Sequence, residues 1–587
     1  MGTSTQPPRP NTQIHYPVFT EHNQAMPAGQ LKPAAWRKLT TSYPDPRVVE
    51  AILGICQFGA RIGYEAHRGP VRIYGNLTSA EDSPEIVTAE IEKELSKHRL
   101  QSFQTMATLP TYFTASPLGL TDKSDGSKRR IHHLSYPTNS TTSINSGIPE
   151  IYGTITYSTI EEAIAAIQKL GRSCLLVKRD FESAFRHIPV SPLDTPLLGF
   201  HWKDQYYSEL FLPFGLRTAP YLFNLFAEVF HWVLENEFTN EGKRVEIIHY
   251  LDDFLIIAPP EACPEGYSRK FATICERVGL TIKTSKNEEG VVASFAGIEL
   301  DTKNMVIRLP KTKLEKARTT VQTATKATSL SLLELQKITG YLNFVGTVVP
   351  LGRTFLRRLY NMQLYFPEHG RHLRRRISTG AQKDLTWWLK ILRMEPERSI
   401  ELRDRKVITL WSDASGAKGL GAFYVQGRQK QPGGPESQNQ TQRDKFPEPQ
   451  RGAAFSISLP RYITRTREHI NTKEMRAVEQ ALLHWGRTWK HHRVVIHTDN
   501  RAVAHGIENR TIRGASMDVL RRCLLLAAEN DLEIEVKWIS TKENSLADAL
   551  SCFDFNKIAN IAPQLLFPST SLRDHGFLTY GRLASRQ

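Results

Sequence analysis

Seven carboxylates in this sequence stand where a fold could bring them together. Asp252 and Asp253 interrupt Val245-Glu246-Ile247-Ile248-His249-Tyr250-Leu251-Asp252-Asp253-Phe254-Leu255-Ile256-Ile257-Ala258, two apolar, β-branched runs that read as strand, tight turn, strand. Adjacent carboxylates at such a tip repel one another unless cations lie beside them, and the hard-oxygen cation that fits is Mg²⁺. An acidic hairpin tip alone is common and says little. A third carboxylate upstream changes the reading. Leu175-Leu176-Val177-Lys178-Arg179-Asp180 is an apolar strand with Asp180 at its end, and it continues through Phe181, Phe185 and Ile188. Between the two acidic stretches lies Leu212-Pro213-Phe214-Gly215-Leu216-Arg217-Thr218-Ala219-Pro220, followed by a helical run from Tyr221 to Leu234.

A second set follows the same logic. Asp413 ends the apolar strand Val407–Ser415, and Gly419–Val425 reads as its antiparallel partner. A Gln/Gly/Pro-rich insert from about Gln426 to Gln450 reads as a loop. A helix begins near Asn471-Thr472 with Glu474 in its first turn, Asp499 ends the strand from Val494, and Asp548 sits in a short helix opened by Asn544-Ser545. Four carboxylates converging on one point make sense only around two divalent cations.

The elements that must position these groups fill most of a 587-residue chain, too long for one core, and three to five domains are expected. A net charge of +16 points to a polyanionic partner, nucleic acid first, against the alternative of an inert basic surface. The six cysteines (Cys56, Cys174, Cys263, Cys275, Cys523, Cys552) form no Cys-x-x-Cys pair, which argues against a zinc knuckle or a disulfide framework. No apolar run approaches a membrane span and the Pro-rich start is no signal peptide, so an intracellular soluble protein is expected, in cytoplasm or nucleus. Residues 1 to about 30 read as disordered. Ala35–Tyr64 reads as a small helical element, and Ser83–His98 as a helix with Ile86, Val87, Ile91 and Leu95 on one face. Ser116–Leu134 reads as a basic hairpin turning at Asp125-Gly126. From Pro310 to about Leu392 the pattern is helical and basic, with Arg353, Arg357, Arg358 and Arg374-Arg375-Arg376, which suits tracking of a duplex backbone. Trp387-Trp388 reads as core packing.

Strand-Asp180, Pro-Phe-Gly loop and helix, then Tyr-x-Asp-Asp hairpin resembles the palm of reverse transcriptases in motif order and spacing. Residues 405–555 similarly resemble ribonuclease H. Polymerase followed by ribonuclease H is the arrangement of retroelement polyproteins. Ser-Pro-Leu-Gly, His-His-Leu-Ser-Tyr-Pro, Ala-Phe-Arg-x-Ile-Pro-Val, Phe-Gly-Leu-Arg-Thr-Ala-Pro and Val-Val-Pro-Leu-Gly-Arg most resemble the tyrosine-recombinase (DIRS-like) retrotransposons, with Gypsy-like LTR elements second. No protease, zinc-knuckle or integrase signature is present, and the 32 residues after Phe555 are too few for a recombinase, so one segment of an element, or a copy that lost the rest, is expected.

The resemblance implies an α+β multidomain fold. Its parts are an N-terminal extension (1–82), right-hand fingers and palm (83–305), a thumb and connection (306–404), a ribonuclease H-like α/β domain (405–555) and a tail (556–587). It implies an RNA-directed DNA polymerase that also degrades the RNA strand of the hybrid. Asp180, Asp252 and Asp253 would hold two Mg²⁺ in one site, and Asp413, Glu474, Asp499 and Asp548 two in the other, with Mn²⁺ as the alternative ion. Lys123, Arg130 and Phe214 would meet the nucleotide. Lys286, in preference to Lys283, would stand near the pyrophosphate. Phe185 falls at the steric-gate position that favours deoxynucleotides. Phe295–Leu300 is similar to a primer-grip hairpin, with Ala296 where Leu or Met is usual. Trp538 stands where related domains carry a His, and slower RNA cleavage is the expected consequence. The implied partners are an RNA template, a DNA primer, the RNA–DNA hybrid and dNTPs, with no membrane. Two alternatives stand beside this reading: a nucleic-acid-binding protein that has lost catalysis, and an RNA-dependent RNA polymerase, which Phe185 and the second domain disfavour.

Overall fold

A computed structural model describes residues 13–565 except 28, 123–125, 139, 368–369, 371, 403, 427–452, 461–462 and 464–467. The Gln/Gly/Pro-rich insert therefore lies almost wholly outside the described residues. The chain forms two compact units, Met1–Pro310 with Ser399–Glu401, and Lys311–Arg398 with Leu402–Gln587. Among the described residues, no helix is long and apolar enough to cross a membrane.

In the first unit, α1 (Pro84–Ser96) buries Val87 and Ile91, as its apolar spacing predicts. The hairpin of β1 (Leu118–Asp122) and β2 (Lys128–His132) follows. The palm sheet comprises β3 (Leu175–Asp180), β4 (Glu246–Tyr250), β5 (Asp253–Ala258) and β6 (Glu288–Gly290), in the order β6-β3-β5-β4 with antiparallel neighbours. Every residue of β3 is buried, Lys178, Arg179 and Asp180 as well as Leu175, Leu176 and Val177, and so is β5 beyond Asp253, which is why Phe254–Ala258 reads as an apolar run. Between β3 and β4, α2 (Ala219–Asn240) is apolar on almost all sides and lies in the core. It meets the sheet through Phe230, whose ring centroid lies 5.4 Å from Phe254 on β5 and 5.5 Å from Phe181 just past β3, and it also packs on Phe271 at 5.2 Å. Phe271 comes from α3 (Pro264–Val278). Fully buried Phe side chains contribute about 1.5–3 kcal/mol each, so this cluster is a rigid base for the strand ends above it.

The start of the chain departs from expectation. Tyr16 and Val18 are buried in the palm core, and the segment is tied down by Arg61 N–H to Val18 O (2.8 Å) and Tyr16 Oη–H to Arg61 O (3.0 Å). Two apolar side chains with backbone partners order a stretch whose composition alone reads as disordered; residues 1–12 lie outside the described set.

The second unit begins with α4 (Lys311–Lys326), β7 (Ser329–Ser331), α5 (Leu332–Val345) and α6 (Arg357–Gln363). Next come β8 (Arg374–Arg376), paired antiparallel with β7, and α7 (Thr379–Arg393). The arginine cluster is thus a strand, not part of a helix. A five-stranded sheet follows: β9 (Val407–Ala414), β10 (Gly419–Gln426), β11 (Ala454–Ser458), β12 (Arg493–Thr498) and β13 (Glu533–Trp538), in the order β11-β10-β9-β12-β13. The β11-β10-β9 pairings are antiparallel and the β9-β12-β13 pairings parallel. With α8 (Ile470–Trp485), α9 (Ser516–Glu529) and α10 (Ser545–Cys552), this is the ribonuclease H-like α/β arrangement expected.

The helices before this sheet pack into the same unit through a buried ion network. Asp384 of α7 pairs with Arg358 at 2.7 Å and with Arg521 of α9 at 3.1 Å, and Arg358 reaches Asp518 at 2.7 Å. Burial pushes the Asp384 carboxyl up to about 6, although both arginines pull it down. Trp388 is fully buried and Trp387 stacks on Phe355 at 3.8 Å, so both pack as expected. A Cβ on Gly352 would stand 2.5 Å from the Trp388 ring, which leaves room only for glycine. Beyond the expected boundary at 555, α11 (Phe555–Ile561) buries Ile558 against the α10 cluster, so the unit runs on to at least Leu565.

Candidate active sites

In the first unit the two acidic stretches meet by strand register. Asp253, the first residue of β5, is the Cα partner of Asp180, the last of β3, and also of Tyr250 on β4. Leu251 and Asp252 form the two-residue loop between β4 and β5, with Leu251 held at a positive φ of 54°. A left-handed Leu is strained, and such strain persists only where the surroundings enforce it. Phe181 N–H donates to Asp252 O (3.2 Å), which fixes the turn over the end of β3. Three carboxylates therefore share one end of the sheet.

Their electrostatics show crowding. Burial pushes the Asp253 carboxyl up to about 7; Lys178 opposes this, while Asp180 and Asp252 add to it. Asp252 is raised by burial and then by Asp180. The nearest cations are Lys178, 3.8 Å from Asp253 Oδ1, and Lys286, whose Nζ lies 2.5 Å from Asp180 Oδ2. For Lys286, burial opposes the charge, but the hydrogen bond to Asp180 and the three carboxylates outweigh it and raise the pKa. Asp253 Oδ1 is buried without a hydrogen-bond partner. An all-oxygen set with an unsatisfied buried oxygen and raised carboxyl pKa values fits a hard divalent cation.

The residues expected to meet a nucleotide divide. Lys123 lies outside the described residues. Arg130 is a correction: it is 8% exposed, its Nη2 donates to Glu209 Oε1 at 3.0 Å, and its guanidinium covers the Phe200 ring at 4.8 Å. Glu209 also takes Arg186, and although burial opposes charge there, the arginines hold its carboxyl down at about 2. Arg130 is therefore held inside the protein. One residue earlier on β2, Arg129 is exposed, covers the Phe214 ring at 4.7 Å and acts electrostatically on Asp252. Phe214 in turn lies 5.3 Å from Phe185, which is half-buried. The structure brings together Arg129, Phe214, Phe185, Lys286 and the three carboxylates. Arg129 was missed because strand alternation pairs it with the apolar Ile131, which suggests an inward face. The hairpin of Val292–Phe295 with Ile298–Asp301 forms as expected, its turn made by Ala296 and Gly297, both at positive φ.

In the second unit, Asp413 is the next-to-last residue of β9, Glu474 lies one turn into α8 and Asp499 follows β12. Their ligand atoms all lie within 4.8 Å of one another. Burial pushes Asp413 up to about 6, opposed by its bond from Ser551 and increased by Asp499 and Asp548, and burial raises Glu474 well above the usual range. Glu474 is 5% exposed and its Oε2 has no partner. This donor set also fits a divalent cation. Asp548 stands apart from the cluster, its Oδ2 2.7 Å from Lys557 Nζ on α11. Asn544, wholly buried, donates to Ser412 O (3.1 Å) and Asp499 Oδ1 (3.4 Å), tying the start of α10 to both strands. Trp538 is 47% exposed; its indole N–H donates to Asp499 O at 2.9 Å and Arg501 covers its ring at 4.6 Å. Asn544 was legible only as the opening of the helix, and Ser551 and Lys557 carried no sequence signal of their own.

Comparison with known proteins covers the stretch that holds the first site. Residues 123–338 match the family model described as reverse transcriptase (RNA-dependent DNA polymerase). The chain is 25% identical over 171 residues to Protein P of duck hepatitis B virus (isolate white Shanghai duck S31), which is 29% of this chain and 21% of that protein. It is 26% identical over 124 residues to Polyprotein P3 of Commelina yellow mottle virus, 21% of this chain and 6% of that one. The match thus spans about a fifth or less of these relatives. A foamy viral protease-reverse transcriptase solved with RNA/DNA hybrid aligns at 14% identity and TM-score 0.42 over 91% of this chain and 87% of that one, too distant to carry an argument. The chain contains a reverse transcriptase domain with homologues among viral and retroelement polymerases.

Proposed function

We propose that the protein is an RNA-directed DNA polymerase with an associated ribonuclease H, which copies a retroelement RNA and removes the RNA strand of the hybrid. The observation that carries this reading is the register that sets Asp180 against Asp253 with Asp252 in the adjoining turn, inside a reverse transcriptase domain. Asp180, Asp252 and Asp253 would hold two Mg²⁺, or Mn²⁺. Cations so bound lower the pKa of a primer 3′-hydroxyl and neutralise the leaving pyrophosphate. Arg129 would meet the triphosphate in the place expected of Arg130, and Lys286 would turn from Asp180 to the charge developing on the pyrophosphate. Phe185, braced by Phe214, would stand against the sugar. In the second unit, Asp413, Glu474 and Asp499 would hold the cations for water attack, and Asp548 would join once it leaves Lys557. Trp538 would fix the Asp499 backbone where a His would take part in proton transfer.

The partners on this reading are an RNA template, a DNA primer, the hybrid and dNTPs, in cytoplasm or nucleus. The motifs quoted above support a lineage near the tyrosine-recombinase retrotransposons. The test is primer extension by the purified chain on an RNA template with dNTPs and Mg²⁺, alongside Asp252→Asn. The parent should extend; the variant should lose extension but keep hybrid affinity within a few-fold, because affinity comes from many phosphate contacts. Equal extension by both would remove the assignment.

A further inference from the structure

A cavity of about 880 Å³ opens in the second unit, lined by Arg358, Tyr365, Arg375, Arg376 and Ser378 among others. Its chemistry is one-sided. Arg374 is engaged with Glu334 at 3.1 Å, and Arg358 with Asp384 and Asp518. Arg375 and Arg376 are exposed on β8, and neither has a side-chain ion pair or hydrogen bond among the described residues. Ser378 caps α7, a 15-residue helix whose first turn holds no acidic residue, so the positive end of its dipole adds to the arginines. No carboxylate lines the cavity among the described residues. Two uncompensated guanidiniums beside a helix N-terminus make an anion site.

The shape of the site selects the kind of anion. Phosphates of a duplex need only a basic surface, whereas this is a recess with the apolar Met362 in its wall. Tyr365 stands at it with 74% of its surface exposed, an aromatic face on which, among the described residues, no ring stacks, beside Arg375 and Arg376. Guanidiniums that track a backbone, with an open aromatic ring next to them, are what an unpaired nucleotide uses. We propose that this cavity binds a single-stranded segment of nucleic acid. Arg375 and Arg376 hold successive phosphodiesters, and Tyr365 stacks one base. The inference rests on the nucleic-acid reading above and assigns that reading a separate single-strand site on the second unit.

The test is fluorescence anisotropy of the full chain with a labelled oligouridylate and with a blunt RNA–DNA hybrid, across a salt series. Arg375→Ala/Arg376→Ala should lower the salt slope for the oligouridylate by about 1.4, at roughly 0.7 per single-strand phosphate contact. Tyr365→Ala should weaken it by about 5- to 150-fold. Blunt-hybrid affinity and melting temperature should hold, since all three side chains are exposed, and Arg375→Lys/Arg376→Lys should restore the slope. Unchanged oligouridylate binding, or a loss confined to the blunt hybrid, overturns the proposal. Binding needs no turnover, so a parent that fails to extend a primer would sink the polymerase reading while leaving this measurement intact.

Discussion

Arg130 Nη2 donates to Glu209 Oε1 across 3.0 Å, between side chains that are 5% and 0% exposed. A buried pair of this kind is costly to break, because the partner left behind keeps its charge in a dry site. Arg130→Ala should therefore destabilise the first unit by about 3 kcal/mol, the low end of the range since Arg186 still serves Glu209. Arg129→Ala should leave stability within about 0.5 kcal/mol and raise KM for dNTPs by about 10- to 100-fold, the loss of one charge-assisted contact. Chemical melts and dNTP titrations on both variants decide it. The opposite pattern would return Arg130 to the nucleotide.

That pair also shows where sequence reading stops. The apolar half of β3, the run of β5 and the turn at Leu251-Asp252 were legible because burial shows as consecutive apolar residues, Leu175–Val177 and Phe254–Ala258. Strand ends likewise exposed Asp180, Asp413 and Asp499. Arg130 was not, because its partner Glu209 lies 79 residues away and a buried ion pair has no local pattern. The same holds for Lys557 at Asp548 and for the burial of Tyr16 and Val18, which depends on a palm surface formed much later in the chain.

The two carboxylate sites lie in separate units, each with its own donor set. Asp499→Asn should abolish RNA-strand cleavage and spare DNA synthesis, and Asp252→Asn should do the reverse. Gel assays of hybrid degradation and primer extension on the same preparations report both. Joint loss in a protein with an unchanged melting curve would argue against independent centres.

Acid should loosen the first unit before it reaches ordinary carboxylate pKa values. His187 is buried; its Nδ1–H donates to Ala184 O (3.1 Å) and its Nε2 accepts from Thr281 N–H (3.0 Å), so a second proton has no place. Burial pushes His187 and His132 down to about 4. Folded values below the unfolded value near 6.5 mean that this stability is complete above pH 6.5 and is lost as pH falls toward 4. The loss is roughly 3 kcal/mol per histidine at 1.36 kcal/mol per unit. Urea midpoints between pH 7 and pH 5 should fall accordingly. His187→Gln, whose amide can both donate and accept, should flatten part of that slope, and a parental midpoint indifferent to pH would refute it.

Phe185 is the residue placed to choose between deoxy- and ribonucleotides, and its packing bears on that choice. The ring lies 5.3 Å from Phe214 and 6.1 Å from Phe223, and it is half-buried, so one edge packs on the core and the other stays open. If the open edge is a sugar gate, Phe185→Val removes an overlap with a ribose 2′-OH of about 1–3 kcal/mol, typical of overpacking. That is on the order of 5- to 150-fold in selectivity at 1.36 kcal/mol per decade. If the ring serves only the core, truncation should cost stability of about 3 kcal/mol or more and depress dNTP and rNTP use together. Arg129 sharpens the distinction, because it covers Phe214 and not Phe185. Arg129→Ala should then weaken both nucleotides equally, while Phe185→Val changes their ratio. Measuring kcat/KM for a matched dNTP and rNTP on both variants, with melting curves on the same samples, separates gate from core. An unchanged ratio with a large fall in melting temperature would assign Phe185 to packing alone.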